Sequence, residues 1–206
     1  MIPPRPPKPS PTPLRRSKLL LVEGSTPLHF FEALLRHLGI SDPIEIRDFG
    51  GVTDVKPAVA AYAESAEFKA LVSSVGVVRD AEDDRDSAFA SVRHALDATG
   101  LDTTNPDVRT SIYILPDDHQ PGMIETLCVE AVRKDPVFPC VEAFFDCAEQ
   151  NGASVPDDIR RAKNVAQAFI ATRKDAQTFP GIAAYRGYWP WDNDVFDDLK
   201  QFLQSL

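Results

Sequence analysis

Three carboxylates stand where chemistry could be done. Glu23 follows the apolar run Leu19-Leu20-Leu21-Val22 and precedes Gly24. Asp80 and Glu82 follow a second run, Val75-Gly76-Val77-Val78-Arg79, and lead into Asp83 and Asp84. Acids at the ends of two buried parallel strands reach the carboxyl edge of a sheet, where open α/β folds place their ligands. Hard oxygen donors of this kind suit Mg²⁺ or Mn²⁺, and Mg²⁺ keeps several of its waters. Paired ions held in this way stabilise in-line attack on phosphate esters. The competing reading is that these acids only cap turns and keep loops in water.

Further candidates lie downstream. Glu125, in Gly122-Met123-Ile124-Glu125, falls in the first turn of a helix, where the dipole favours an acid whether or not it binds anything. Asp117 and Asp118 lie nearer the end of the fourth strand and compete with it. Arg160, Arg161 and Lys163, with Arg173 and Lys174 beyond, form the main basic cluster of the body. Any of them could offset phosphate charge, or simply face solvent. His29 stands six residues after Glu23, near the start of the first helix, and could face the same place. The other histidines have no partner at ligand spacing.

The elements that must position these groups alternate. Strands are expected at Lys18–Val22, Ile44–Arg47, Val75–Arg79 and Ser111–Leu115. Between them, helical spacing covers Leu28 to Leu38 behind a Thr26-Pro27 cap, Lys56 to Leu71, and Ala88 to Leu96 with closure near Gly100. This order predicts an α/β fold with a four-stranded, mainly parallel sheet, right-handed crossovers and helices on both faces. After Pro116 the pattern turns helical, over Gly122–Val132, Pro136–Gln150, Asp157–Thr172 and Asp192–Leu206, with Pro180–Tyr188 irregular. The expected organisation is a disordered, proline-rich basic tail over 1–17 and one domain over 18–206. That domain divides into an α/β core, 18–115, and a helical extension, 116–206.

Composition narrows the class. Of 206 residues, 43% are hydrophobic and 26% charged, ordinary values for a globular protein. No apolar run nears the ~20 residues that span a bilayer, and no signal-peptide core is visible, so a cytoplasmic protein without membrane contact is expected. Residues 1–13 contain seven prolines, including PxxP at Pro3 to Pro6 and Pro4 to Pro7. Net charge is −9; residues 1–18 hold five of the 22 basic residues and none of the 31 acidic ones, which leaves −14 on the rest. That balance argues against a broad grip on nucleic acid but not against a metal-neutralised site. The odd cysteines, Cys128, Cys140 and Cys147, read as reduced and mostly buried. Tyr185, Tyr188, Trp189 and Trp191 read as core or a subunit patch, so an oligomer is compatible with the sequence. No GxxxxGK[ST] or GxGxxG is present, so the chain is not its own P-loop ATPase.

Leu20-Leu21-Val22-Glu23-Gly24, followed later by Val77-Val78-Arg79-Asp80-Ala81-Glu82, resembles the Toprim pattern. In that pattern one strand ends in Glu-Gly and a later one in Asp-x-Asp. The closest likeness is to small stand-alone Toprim-like proteins related to the OLD-family nucleases, over residues 18–206. Gly50-Gly51 after the second strand and Leu115-Pro116 before Gly122-Met123-Ile124-Glu125-Thr126-Leu127-Cys128 support it. The resemblance implies Mg²⁺ or Mn²⁺, with Glu23 nearest the reacting phosphate and Asp80 and Glu82 as ligands. It raises Glu125 as a further ligand and Lys163 as the supporting catalytic lysine that stabilises phosphate charge. The activity implied is a Mg²⁺-dependent nuclease, or a related phosphoryl-transfer enzyme, on DNA or RNA. Two positions depart from the pattern. Pro27 stands where a second acid commonly follows, and Glu82 replaces an aspartate. These leave room for a weak or inactive binding and regulatory module, partnered by a separate ATPase in phage defence or DNA repair.

Overall fold

Leu19, Leu20, Leu21 and Val22 are all at most 1% exposed, because the strand they form lies inside the sheet with helices on both faces. The computed structural model describes residues 13–101, 107–156, 159–175 and 179–206. Strand β1 (Lys18–Val22) leads into α1 (Ser25–Leu38), β2 (Ile44–Asp48), α2 (Val55–Glu64) and α3 (Ala66–Leu71). Then come β3 (Ser74–Asp80), α4 (Arg85–Asp97) and β4 (Arg109–Leu115). Helices α5 (Ile124–Ala131), α6 (Phe138–Gln150), α7 (Arg161–Ala171), α8 (Pro180–Tyr185) and α9 (Asp197–Ser205) complete the order.

The sheet runs β2-β1-β3-β4 and every pair is parallel, an α/β arrangement consistent with the Toprim-like expectation. Side chains alternate across it. Leu20 and Val22 pack into a core built with α1 and the helices after β4, while Leu19 and Leu21 pack into a second core with α2, α3 and α4. The helical half therefore shares a core with the sheet. Gly76 of β3 makes this fit: a Cβ there would lie 2.7 Å from Leu206 Cδ2 and 3.2 Å from Phe202 Cζ, so its absence lets the terminal helix lie on the sheet.

Several boundaries differ from the sequence reading. The long second helix is two, because Ser65 turns extended and its Oγ accepts from Phe68 N at 3.2 Å, which starts α3 afresh. The first helix starts at Ser25 with Gly24 as its cap, not at Thr26. Pro180–Tyr188 is not wholly irregular: Pro180 opens the short helix α8. The last helix is preceded by a 3₁₀ turn, Asp194–Phe196, capped by Asn193 Oδ1 accepting from Val195 N at 3.1 Å. The third of the late helices begins at Arg161, and the expected start at Asp157 lies outside the described residues.

Residues 1–12 of the expected tail also lie outside them. From Leu14, only 4% exposed, the chain already packs on the body. Cys128 is buried, but Cys140 and Cys147 are exposed, since α6 turns Phe138, Val141 and Phe145 inward instead. Trp189 and Trp191 are core residues, at 1% and 9% exposure. No helix among the described residues is long and apolar enough to cross a membrane.

Candidate metal centre

Parallel pairing brings the acids to one edge. Val22 stands opposite both Asp48 and Val78, so Glu23, one residue on, lies beside the ends of β2 and β3. Asp80 closes β3 opposite Leu115. Gly24 takes a positive φ of 90°, which lets the chain turn sharply into α1 behind Glu23. Its N–H donates to Asp48 Oδ1 at 2.8 Å, and Gly50 N donates to the same oxygen at 2.6 Å. Asp48 therefore locks the two strand ends together.

The segment after β4 closes the site from the other side. Glu82 and Gly122 exchange main-chain hydrogen bonds of 2.9 and 2.8 Å in an isolated antiparallel bridge. Glu82 holds a left-handed φ of 53°, which redirects the chain immediately after β3. The bridge sets α5 against the strand end. Ile124 N then donates to Asp80 Oδ1 at 3.0 Å, using one of the free N–H groups of the helix's first turn. Glu125, the next residue, is carried inward and is only 9% exposed.

The result is one coupled cluster of carboxylates. Burial pushes the Asp80 carboxyl up to about 8; Glu125, Glu23 and Glu82 add repulsion, while the Ile124 N–H opposes the shift. Glu23 is raised by burial against the pull of Arg79, with Glu82 and Asp48 raising it further. Glu125 is raised by burial, and its own main-chain N–H and Lys163 oppose this. Cys128 beneath them is raised by burial, with Glu125 and Asp80 adding to it. Raised carboxylates gathered at one strand edge are a pattern that functional sites share.

Arg79 is the cation already present. It is 8% exposed, and its Nε lies 3.4 Å from Glu23 Oε2. Its other end donates to Ala88 O at 3.5 Å. The pair is not aligned as a hydrogen bond, so Glu23 Oε2 and Arg79 Nε are both buried without one.

The donors suit a hard cation: Glu23 Oε2, ion-paired with Arg79 but accepting no hydrogen bond, belongs to a group of four acids that repel one another. Among the described residues, however, no three His, Cys, Asp or Glu side chains are grouped tightly enough to hold a metal ion by themselves. The fit is therefore to a water-rich Mg²⁺ or Mn²⁺ held by one or two carboxylates, which is how Mg²⁺ is usually bound.

Of the residues singled out by sequence, Glu23, Asp80, Glu82 and Glu125 come together, and Lys163, exposed on α7, reaches Glu125 electrostatically. Other candidates are employed elsewhere. Asp118 takes Arg85 at 3.0 Å and Ile114 N at 3.1 Å, and Asp117 caps its own turn through His119 N and Gln120 N. Arg161 pairs with Glu149 and Arg173 with Asp135. His29 turns to Glu32, 3.3 Å away. Asp83 and Asp84 face solvent, and Asp84 caps α4 through Ser87 N at 3.0 Å.

Sequence reasoning missed two participants. Asp48 ends β2 just before Gly50-Gly51, the same strand-acid-glycine signal as Glu23. Arg79 stands in the quoted motif, but a basic residue inside an apolar strand was itself the clue to a buried partner.

Comparison with known proteins gives one family. A family model described as "Protein of unknown function (DUF3226)" matches residues 17–206. No curated protein and no solved structure matches the chain.

Proposed function

The chain belongs to the DUF3226 family, and we propose that it is a Mg²⁺- or Mn²⁺-dependent phosphodiester hydrolase acting on nucleic acid in the cytoplasm. The observation that carries this reading is the convergence of Glu23, Asp80, Glu82 and Glu125, from three separate stretches of chain, at the carboxyl edge of a parallel sheet. The likeness of the Glu-Gly and Asp-x-Glu strand ends to Toprim sequences supports it.

One or two of Asp80, Glu82 and Glu125 would hold the ion, which keeps its remaining waters, with Glu23 beside it. When bound, the ion polarises a phosphoryl oxygen and lowers the pKa of a coordinated water. Glu23, with its raised carboxyl, takes the proton of the attacking water as the new P–O bond forms. The ester P–O bond on the far side breaks, and its oxygen is protonated from solvent. Lys163 offsets the charge gathering on the phosphate. Arg79 orients Glu23 by holding one of its oxygens.

Supercoiled plasmid and single-stranded oligonucleotides incubated with Mg²⁺ or Mn²⁺ test this. Cleavage by the wild type should vanish in Glu23→Gln and Asp80→Asn. Activity equal across all three proteins ends the reading.

A second reading has its own observation. Arg79 already neutralises Glu23, and Pro27 stands where a further acid would complete a two-ion site. A binding or regulatory module working with a separate ATPase needs no more than this. Co-purification with an ATPase, with no cleavage under any metal condition, would favour it.

A further inference from the structure

Strand β2 forms one edge of the sheet, and the groove along it gathers arginine on an otherwise acidic protein. Arg15, Arg16, Arg36 and Arg47 line an open depression of about 400 Å³, against only Glu32 and Glu45 of opposite sign. The whole chain carries a net charge of −9, which gives no reason for four guanidinium groups to collect here.

The groove is built rather than incidental. Glu45 is 9% exposed, and it accepts from Arg15 N at 2.7 Å while pairing with the Arg47 side chain. One buried carboxylate thus fixes both ends of the basic row. Arg16 donates to Ser41 O and Ile44 O, both at 2.6 Å. Its hold on Ile44 O occupies an outward carbonyl of the edge strand and discourages pairing with a foreign strand. Across the groove, Glu32 accepts from the Tyr185 hydroxyl, and Arg36 lies over the exposed Tyr185 ring at 5.3 Å. The side chains of Arg15 and Arg36 are exposed, and neither has a carboxylate partner among the described residues.

Guanidinium groups without carboxylates, beside an exposed aromatic ring, match the needs of a single strand: charge for the phosphates and a face for a base. The groove also leads to the carboxylates. Arg47 adjoins Asp48, which holds Gly24, and Glu32 is hydrogen-bonded to His29 on the first turns of α1. We propose that this groove is a phosphate-binding track that holds the backbone of single-stranded nucleic acid as it runs to the carboxylate edge. The direction of the track rests on the hydrolase reading, whereas binding in the groove does not.

Fluorescence anisotropy of a labelled oligo-dT in EDTA, with the full chain, tests it without cleavage. The double variant R15A/R36A should bind about tenfold more weakly at 0.1 M salt. Its slope of log affinity against log salt should flatten by about 1.4, or ~0.7 for each phosphate that the protein no longer neutralises. R15K/R36K keeps the charges and should retain most of the binding, and Lys69→Ala, on the exposed side of α3, should change nothing. Melting curves of the double variant should match the wild type, because both side chains are exposed. Unchanged affinity in R15A/R36A, or no oligonucleotide binding by the wild type, overturns the track. Equal displacement by poly-glutamate overturns its assignment to nucleic acid. If the wild type binds through these arginines and never cleaves, the hydrolase reading fails and the track stands. If it cleaves and R15A/R36A binds normally, the reverse holds.

Discussion

Ile124 donates its main-chain N–H to Asp80 Oδ1 at 3.0 Å, so the first turn of α5 is tied to the last residue of β3. With the Glu82–Gly122 bridge, this bond joins the two halves of the chain at the place where the acids meet. It also partly offsets the burial of a carboxylate surrounded by Glu23, Glu82 and Glu125.

Asp80 makes stability depend on pH. Unfolded, it releases its proton near 3.8; folded, it holds the proton to about 8. Between those values the folded state binds more protons, so stability falls as pH rises, by on the order of 1 kcal/mol per pH unit. Glu23 and Glu125 are raised too and act in the same direction. Urea unfolding in EDTA from pH 5 to 8 should show the decline. Stability that rises across this range would contradict the buried cluster.

Asp80→Asn should relieve that burden. The amide oxygen can still accept from Ile124 N, while the like-charge repulsion disappears. The variant should melt higher than the wild type at pH 8 in EDTA and lose any stabilisation by Mg²⁺. A lower melting temperature at pH 8 would mean that Asp80 is already well neutralised in the protein.

Arg79→Met should leave the half-buried Glu23 without its cation. The cost should stay below the ~3–5 kcal/mol of breaking a fully buried pair, because Glu23 keeps some contact with water. Mg²⁺ should restore part of the loss, since the ion can take the place of the guanidinium. Denaturant melts with and without Mg²⁺ read both effects, and a loss untouched by Mg²⁺ would separate Glu23 from the cation site.

Gly181→Ala should loosen α8 from α1. A Cβ at Gly181 would lie 2.4 Å from Thr26 O, a main-chain atom with little freedom to move. The expected cost is about 1–3 kcal/mol, measured as a lower urea midpoint at unchanged slope. An unchanged midpoint would mean that the two helices are not closely packed.

How far the sequence could be read follows from the kind of interaction involved. Glu23 and Asp80 were legible because each ends an uninterrupted apolar run, and a buried parallel strand leaves that mark locally. Glu125 was not separable from an ordinary helix-start acid, because its burial depends on the Glu82–Gly122 bridge across 40 residues. Asp48 leaves the same strand-acid-glycine mark as Glu23, but its work, binding main-chain N–H groups of two turns, shows only in the fold. Ser65, Pro180 and Asn193 shifted helix boundaries through single caps inside otherwise continuous helical patterns. The arginine groove was invisible for another reason: its members come from the tail, α1 and β2, and only the folded edge brings them together.

The cation itself gives the most direct measurement. Mn²⁺ titrated into the full chain at about pH 8, followed by the EPR signal of the free ion, should reveal uptake by the wild type. Asp80→Asn and Glu125→Gln should each weaken that uptake by about tenfold or more. No Mn²⁺ uptake by the wild type, or equal uptake by all three proteins, would contradict a metal site at this edge.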